Sequence, residues 1–109
     1  MPTYISLMKF TDQGVKDVKE APMRAEQLIK GLEFLGDKLI GLYLTIGEYD
    51  YIRIAEASSN EVALTLLICM GTTGNVKTTT LNAFTLEEFA GIVKRLPSQL
   101  SDRFVDNSH

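Results

Sequence analysis

Tyr49, Asp50, Tyr51 and Arg53 bring the chain's densest chemistry into five consecutive positions. A guanidinium presents a fork of donors that matches a carboxylate or an anionic ligand group, and phenols offer apolar area with a polar tip. A carboxylate next to them has two uses, as a general base or as an acceptor for turn amides. Alternation in Tyr51 to Ala57 sets Tyr49, Tyr51 and Arg53 against Ile52 and Ile54, and in Leu39 to Ile46 it sets Tyr43 and Thr45 against Ile40, Leu42, Leu44 and Ile46. The aliphatic sets are expected to lie against helices. That leaves Tyr43, Thr45, Tyr51 and Arg53, with Tyr49 at the turn, on a bare sheet face, joined by Tyr4, Ser6, Met8 and Phe10 and by Thr78, Thr80 and Asn82. Such a surface suits a small organic, anionic ligand, with Tyr4, Ser6, Tyr43, Tyr49, Tyr51, Arg53, Thr78 and Thr80 as ligand-binding residues. The plainer alternative is a wet interface between copies, with Arg53 paired to a carboxylate.

The remaining candidates read more simply. Asp50 beside a tight turn is first a cap for backbone amides, Glu48 is a solvated apex residue, and Glu56 belongs to the helix-facing side near a strand end. Cys69, in the apolar run Leu64 to Met70, is expected to be buried and inert, because no histidine or helix N-terminus is near to lower its pKa. Gly71-Thr-Thr-Gly74 resembles a phosphate loop but follows a helix and precedes a strand, so it reads as a helix C-cap and turn. The single histidine, His109, and the single cysteine do not compose a metal site, and nothing calls for a cofactor. Lys16, Lys19, Arg24 and Lys30 are interleaved with acids and make a solvated face.

These residues need elements to place them. Thr3 to Phe10 alternates as a strand, and Asp12 is placed to cap the polar segment that follows. After Pro22, the stripe Ala25, Leu28, Ile29, Leu32 and Leu35 predicts a helix that Gly36 ends in the left-handed conformation. Gly47-Glu-Tyr-Asp50 connects the second and third strands as a hairpin turn. Pairing Leu44 with Ile52 then requires an odd loop length or a bulge; a two-residue turn at Gly47-Glu48 would put Tyr43 beside Ile52 and mix the faces. Ser58 with Glu61 has capping-box spacing before a second helix ending near Gly71. Asn75 to Phe84 reads as the fourth strand. Thr85 with Glu88 repeats the box, Phe84 and Phe89 form a staple, and Phe89, Ile92, Val93 and Leu96 make the stripe of a last helix that Pro97 stops. The order predicts an α+β, ferredoxin-like βαββαβ sandwich with an added C-terminal helix.

Composition bounds the rest. With 109 residues and 45% apolar content the chain supports one domain, residues 1–97, followed by a polar tail, 98–109. A net charge of −3, mixed along the sequence, leaves no footprint for nucleic acid or anionic lipid. Neither a signal peptide nor a membrane span is visible, so a cytoplasmic location is expected.

Four stretches in order carry a resemblance: Phe10-Thr-Asp-Gln-Gly14, Gly47-Glu-Tyr-Asp50, Gly74-Asn-Val-Lys-Thr78 and Ala83-Phe-Thr-Leu-Glu-Glu-Phe89. Together they resemble the GYD domain family over about the first 96 residues. The resemblance implies a dimeric α+β barrel in which two sheets face each other, and implies no particular reaction. A comparable turn occurs in the ligand-binding domains of feast/famine regulators, whose DNA-binding helix-turn-helix has no counterpart here. The first reading is thus a homodimer, or higher homo-oligomer, that holds a small ligand between bare sheet faces. The alternatives are a cofactor-free enzyme, a small monooxygenase or isomerase using Tyr49, Asp50, Tyr51 or Arg53, and a structural subunit of a larger assembly.

Overall fold

The computed structural model describes residues 1–97. Its elements run β1 (Thr3–Phe10), α1 (Asp12–Lys16), a 3-10 turn (Val18–Glu20), α2 (Ala21–Phe34), β2 (Asp37–Leu44), β3 (Tyr51–Ala57), α3 (Asn60–Thr72), β4 (Val76–Ala83) and α4 (Leu86–Lys94). The four strands form one antiparallel sheet in the order β2-β3-β1-β4, the ferredoxin-like arrangement. The tail from 98 to 109 lies outside the described residues.

Local chemistry accounts for the element ends. Pro22 stands in the first turn of α2, where its missing N–H costs nothing, and Gly36 leaves that helix with φ 102°. Thr85 and Glu88 form the reciprocal box at α4, and the hydrogen bonds from Thr85 hold the Glu88 carboxyl below its ordinary pKa. Two caps differ from expectation. Thr11, not Asp12, caps α1 through its hydroxyl, and Ser59, not Ser58, caps α3 by accepting from Val62 N. The Ser58–Glu61 spacing is therefore off by one residue. Both caps hold extended backbone, which an N-cap requires.

The core lies between the sheet and the pair α2 and α3. Met8, Leu32, Leu66 and Met70 are its buried centre, with Leu28, Tyr51, Leu67 and Val76 packed against it. Met8 and Tyr51 are register partners, so this cluster identifies the helix-facing side of the whole sheet. Tyr51, Arg53, Ala55 and Ala57 of β3 point there, with Tyr4, Ser6 and Met8 of β1, and Thr78 and Thr80 of β4. The opposite side carries Ile5 and Leu7, Ile52 and Ile54, Tyr43 and Leu81.

This inverts the expected faces of β3, while β2 keeps Leu42 and Leu44 on the helix side and Tyr43 on the open side, as expected. The aliphatic set Ile52 and Ile54 lies on the open side, and the polar set faces the helices; Glu56 moves with Ile54 to the open side. Tyr43 does pair with Ile52, the mixed arrangement, because the connection from Thr45 to Asp50 has even parity. A bulge between Leu39 and Gly41 then returns Leu39 and Asp37 to the helix side. The physical reason is the size of the helix-facing residues. Ala55 and Ala57, 2% and 1% exposed, let α3 approach the sheet closely, a fit that isoleucines at those positions would prevent.

Candidate functional site

Arg53 is the clearest case. It is 6% exposed and ion-paired with Asp37, itself 5% exposed, at the far end of the helix-facing side of β2. Two buried charges so placed stabilise each other mainly by cancelling a desolvation cost. The void beside them is about 10 Å³, room for one water and no organic ligand. Arg53 therefore takes the carboxylate-pairing role, through its Nη2 and within its own chain. Around it, the Ser6 and Thr80 hydroxyls are 2.9 Å apart and the Tyr4 hydroxyl donates to Asn60 Oδ1 at the start of α3.

Of the residues expected on the bare face, register leaves Tyr43 there, 60% exposed, and Thr45, bonded to Asp50, continues its side of β2. Tyr49 stands near its edge, with Lys9 Nζ 5.3 Å from the ring centroid. Tyr4, Ser6, Tyr51, Arg53, Thr78 and Thr80 lie on the other side. The structure thus separates the expected site residues into two groups on opposite faces.

The Gly47–Asp50 turn is a joint between strands. Thr45 N donates to Asp50 O at 2.8 Å and the Thr45 hydroxyl donates to Tyr49 O at 2.6 Å, closing the loop. Asp50 N then donates to Met8 O at 2.9 Å, and its carboxylate accepts from Phe10 N at 2.7 Å. The side chain supplies the acceptor that β3 lacks once its pairing with β1 stops, so the cap acts on a neighbouring strand rather than on its own turn. Gly47 has φ 137° and open space around its missing Cβ. Gly47→Ala is accordingly expected to cost about 1 kcal/mol through backbone strain alone. Denaturant midpoints check this, and a stabilised variant would contradict it.

A second feature was not visible as a site in the sequence. Between α2 and the sheet lies a cavity of about 400 Å³. On the α2 side it is lined by Ala21, Arg24, Ala25, Gln27 and Leu28, and the two alanines leave part of the space unfilled. Phe10 and Tyr51 form its floor, their rings 5.3 Å apart and tilted by 37°. Burial raises the Tyr51 phenol pKa, Arg53 partly offsets this, and Asp50 adds to it. Asn75 lines the same cavity, and its Oδ1 is buried without a hydrogen-bond partner among the described residues.

Three of the four sequence stretches singled out above converge on that corner. Thr11 N donates to Asn75 O at 3.0 Å and the Thr11 hydroxyl donates to Gly74 O at 2.6 Å, joining Phe10–Gly14 to Gly74–Thr78. Asp50 ties the Gly47–Asp50 turn to Phe10. Gly14 is buried with no room for a Cβ, which would overlap the Asn75 carbonyl oxygen and stand 3.0 Å from its carbon. Cys69 is a free, half-buried thiol of α3 outside this cluster, more exposed than expected. Gly71 to Gly74 is the expected helix end and turn, with Gly74 at φ 72°. Among the described residues no group of acids, cysteines or histidines is arranged to hold a metal, and no helix is long and apolar enough to cross a membrane.

Among the described residues, two apolar surfaces have no partner. The open sheet face is one, and α4 is the other: Phe89, Ile92, Val93 and Leu96 of its stripe are 56%, 38%, 46% and 55% exposed. Phe84, the expected staple partner of Phe89, is exposed as well.

Comparison with known proteins agrees with this architecture. No solved structure matches the chain. A relative from Thermus thermophilus, named "Glutamine synthetase and cystathionine beta-lyase binding protein", is 28% identical over 95 residues, which are 86% of this chain and all of the relative. The model of the GYD domain matches residues 4–93, from the first strand to the last helix and through every motif at the Phe10–Asn75 corner. The chain belongs to the GYD domain family.

Proposed function

We propose that the chain is a homodimeric, protein-binding module in which two copies cover each other's open sheet face. The observation that carries this reading is the face itself. Ile5, Leu7, Ile52 and Ile54 form its centre, Tyr43 and Leu81 extend it with 60% and 50% of their surface exposed, and α2 and α3 both lie on the other side. Charged residues, Lys9, Lys38, Glu56 and Lys77, fall at its margins by register. An apolar centre with a charged rim is the anatomy of an interface between copies.

The protein-binding part rests on the relative's name and on α4. A helix whose apolar stripe has no partner among the described residues is a ready surface for a second protein, and the relative is named for binding two enzymes. The enzyme alternative has less support. Asp50 and Arg53, its acid/base and oxyanion candidates, both have partners inside the chain, and the raised pKa of Tyr51 leaves less of its phenolate available as a base.

Ile54→Lys tests the assembly. Ile54 pairs with Ile5 and Gly41 at the middle of the open face, so a lysine there meets its symmetry mate's apolar surface in a dimer but only water in a monomer. The expected result is dissociation by at least about tenfold with unchanged far-UV circular dichroism. An unchanged mass in light scattering would reject the face as the interface.

A further inference from the structure

We propose that the outer edge of β4 pairs antiparallel with the same edge of a second copy, so that the sheets of two chains join into one continuous sheet. This goes beyond the assembly reading, because the contact uses the rim of the sheet and leaves the open face free for its own partner.

The hydrogen-bond pattern identifies the groups that the edge offers. Thr11 N donates to Asn75 O at 3.0 Å, and the β1–β4 register continues from that pair through Phe10 and Val76 to Thr3 and Ala83. Bonded and non-bonded pairs alternate along an antiparallel ladder, so Lys77, Thr79, Leu81 and Ala83 bond to β1, while Val76, Thr78, Thr80 and Asn82 turn their N–H and C=O outward. The other side of β1 agrees. Met8 O accepts from Asp50 N and Phe10 N donates to the Asp50 carboxylate, so the register partners of Thr78 and Val76 use their backbone toward β3. β4 ends the sheet, and among the described residues no hydrogen bond reaches the outward backbone groups of Val76, Thr78, Thr80 and Asn82.

The edge is also unprotected. Native edges are blunted by bulges, prolines, inward charges or brevity, and β2, the opposite edge, has the bulge between Leu39 and Gly41 and the buried Asp37. β4 instead runs from Val76 to Ala83 in unbroken register, without proline and with Lys77 as its one charge. A second copy fits this strand because the strand is complementary to itself. About a twofold axis at Thr79, Thr78 of one copy meets Thr80 of the other, Val76 meets Asn82 and Lys77 meets Leu81. In that register every outward residue bonds, the threonines pair, and the two lysines stay apart. α3 packs on β4, which brings the two α3 helices side by side, and Leu64 and Ile68, one turn apart on α3 and each 58% exposed, are available to that contact. One strand and part of a helix from each chain amount to less than the roughly 1,600 Å² of a standard interface, so the edge closes at higher concentration than the face. Its twofold is perpendicular to the sheet and that of the face lies parallel to it, and the two together close a symmetric assembly of paired dimers.

Amide hydrogen exchange of the full wild-type chain, read residue by residue by nuclear magnetic resonance, tests the edge. Thr78, Thr80 and Asn82 are expected to exchange at least about tenfold more slowly in millimolar than in micromolar solution, while Lys77, Thr79 and Leu81, bonded to β1, stay protected in both. Thr78→Pro removes an outward donor that an edge strand can spare, so it should abolish the concentration dependence with unchanged far-UV circular dichroism. Outward amides that stay fast in millimolar solution would overturn the proposal. Protection independent of concentration would overturn it too, since a segment of the same chain or the face partner would then cover the edge. Ile54→Lys, which disrupts the face, should leave the effect in place, and its loss there would reject an edge contact separate from the face. The wild-type measurement needs no substitution and decides the matter even if Thr78→Pro fails to fold.

Discussion

Asp37→Ala is expected to lower the unfolding free energy by about 3–5 kcal/mol, the usual effect of stranding one member of a buried ion pair. The Arg53 guanidinium would be left beside Ala55, Ala57 and Leu66 without its carboxylate. Water entering the space vacated by the carboxylate would restore only part of the lost interaction. Arg53→Met should be costly for the reciprocal reason, since it leaves the Asp37 carboxylate buried alone. The informative variant is the double one. Asp37→Leu with Arg53→Met removes both charges and keeps apolar volume, so much of the single-variant loss should be regained, giving a coupling energy of about 2 kcal/mol or more in a double-mutant cycle. Additive losses measured by denaturant unfolding would mean that the two side chains act independently. Had Arg53 been an anchor for an external anion, its replacement would have changed binding and left stability nearly intact.

Gly14→Ala carries the next largest expected effect. A methyl group at this position must displace the backbone of Asn75, and overpacking of that kind costs about 1–3 kcal/mol. In a domain of this size the loss corresponds to a fall in Tm of roughly 4–8 °C for each kcal/mol. Gly31→Ala supplies the control: Gly31 lies within α2 with nothing near its missing Cβ, so alanine there should stabilise by up to about 1 kcal/mol. Thermal unfolding of the two variants should therefore move in opposite directions. Equal shifts would mean that α1 can slide off Asn75, and the corner would not be the fixed wall that the cavity requires.

The element order, the left-handed Gly36 and the Thr85–Glu88 box were legible from the residues, because each depends on neighbours a few positions away. The faces of β3 were not. Ile52 and Ile54 read as helix-facing on the rule that the most aliphatic set is the most buried, and that rule fails when a sheet has apolar demands on both sides. Ala55 and Ala57 carried the correct signal, since small residues mark the place where a helix comes close. The carboxylate expected for Arg53 was not identified as Asp37, because that residue lies 16 positions away and reaches the same face only through the bulge in β2. Asp50 was legible as a cap in type but not in target, because its acceptor role serves Phe10, 40 positions away. The cavity left almost no trace. It arises from two alanines in α2 and one asparagine in a turn, brought together only by the tertiary fold.

The mass of the wild-type chain in solution tests the central claim most directly. Sedimentation equilibrium over a dilution series should give twice the chain mass of 12.1 kDa, with dissociation only at the lowest concentrations. A single species at the mass of one chain throughout the micromolar range would contradict the account, leaving the half-buried Ile5, Leu7, Ile52 and Ile54 with no cover among the described residues.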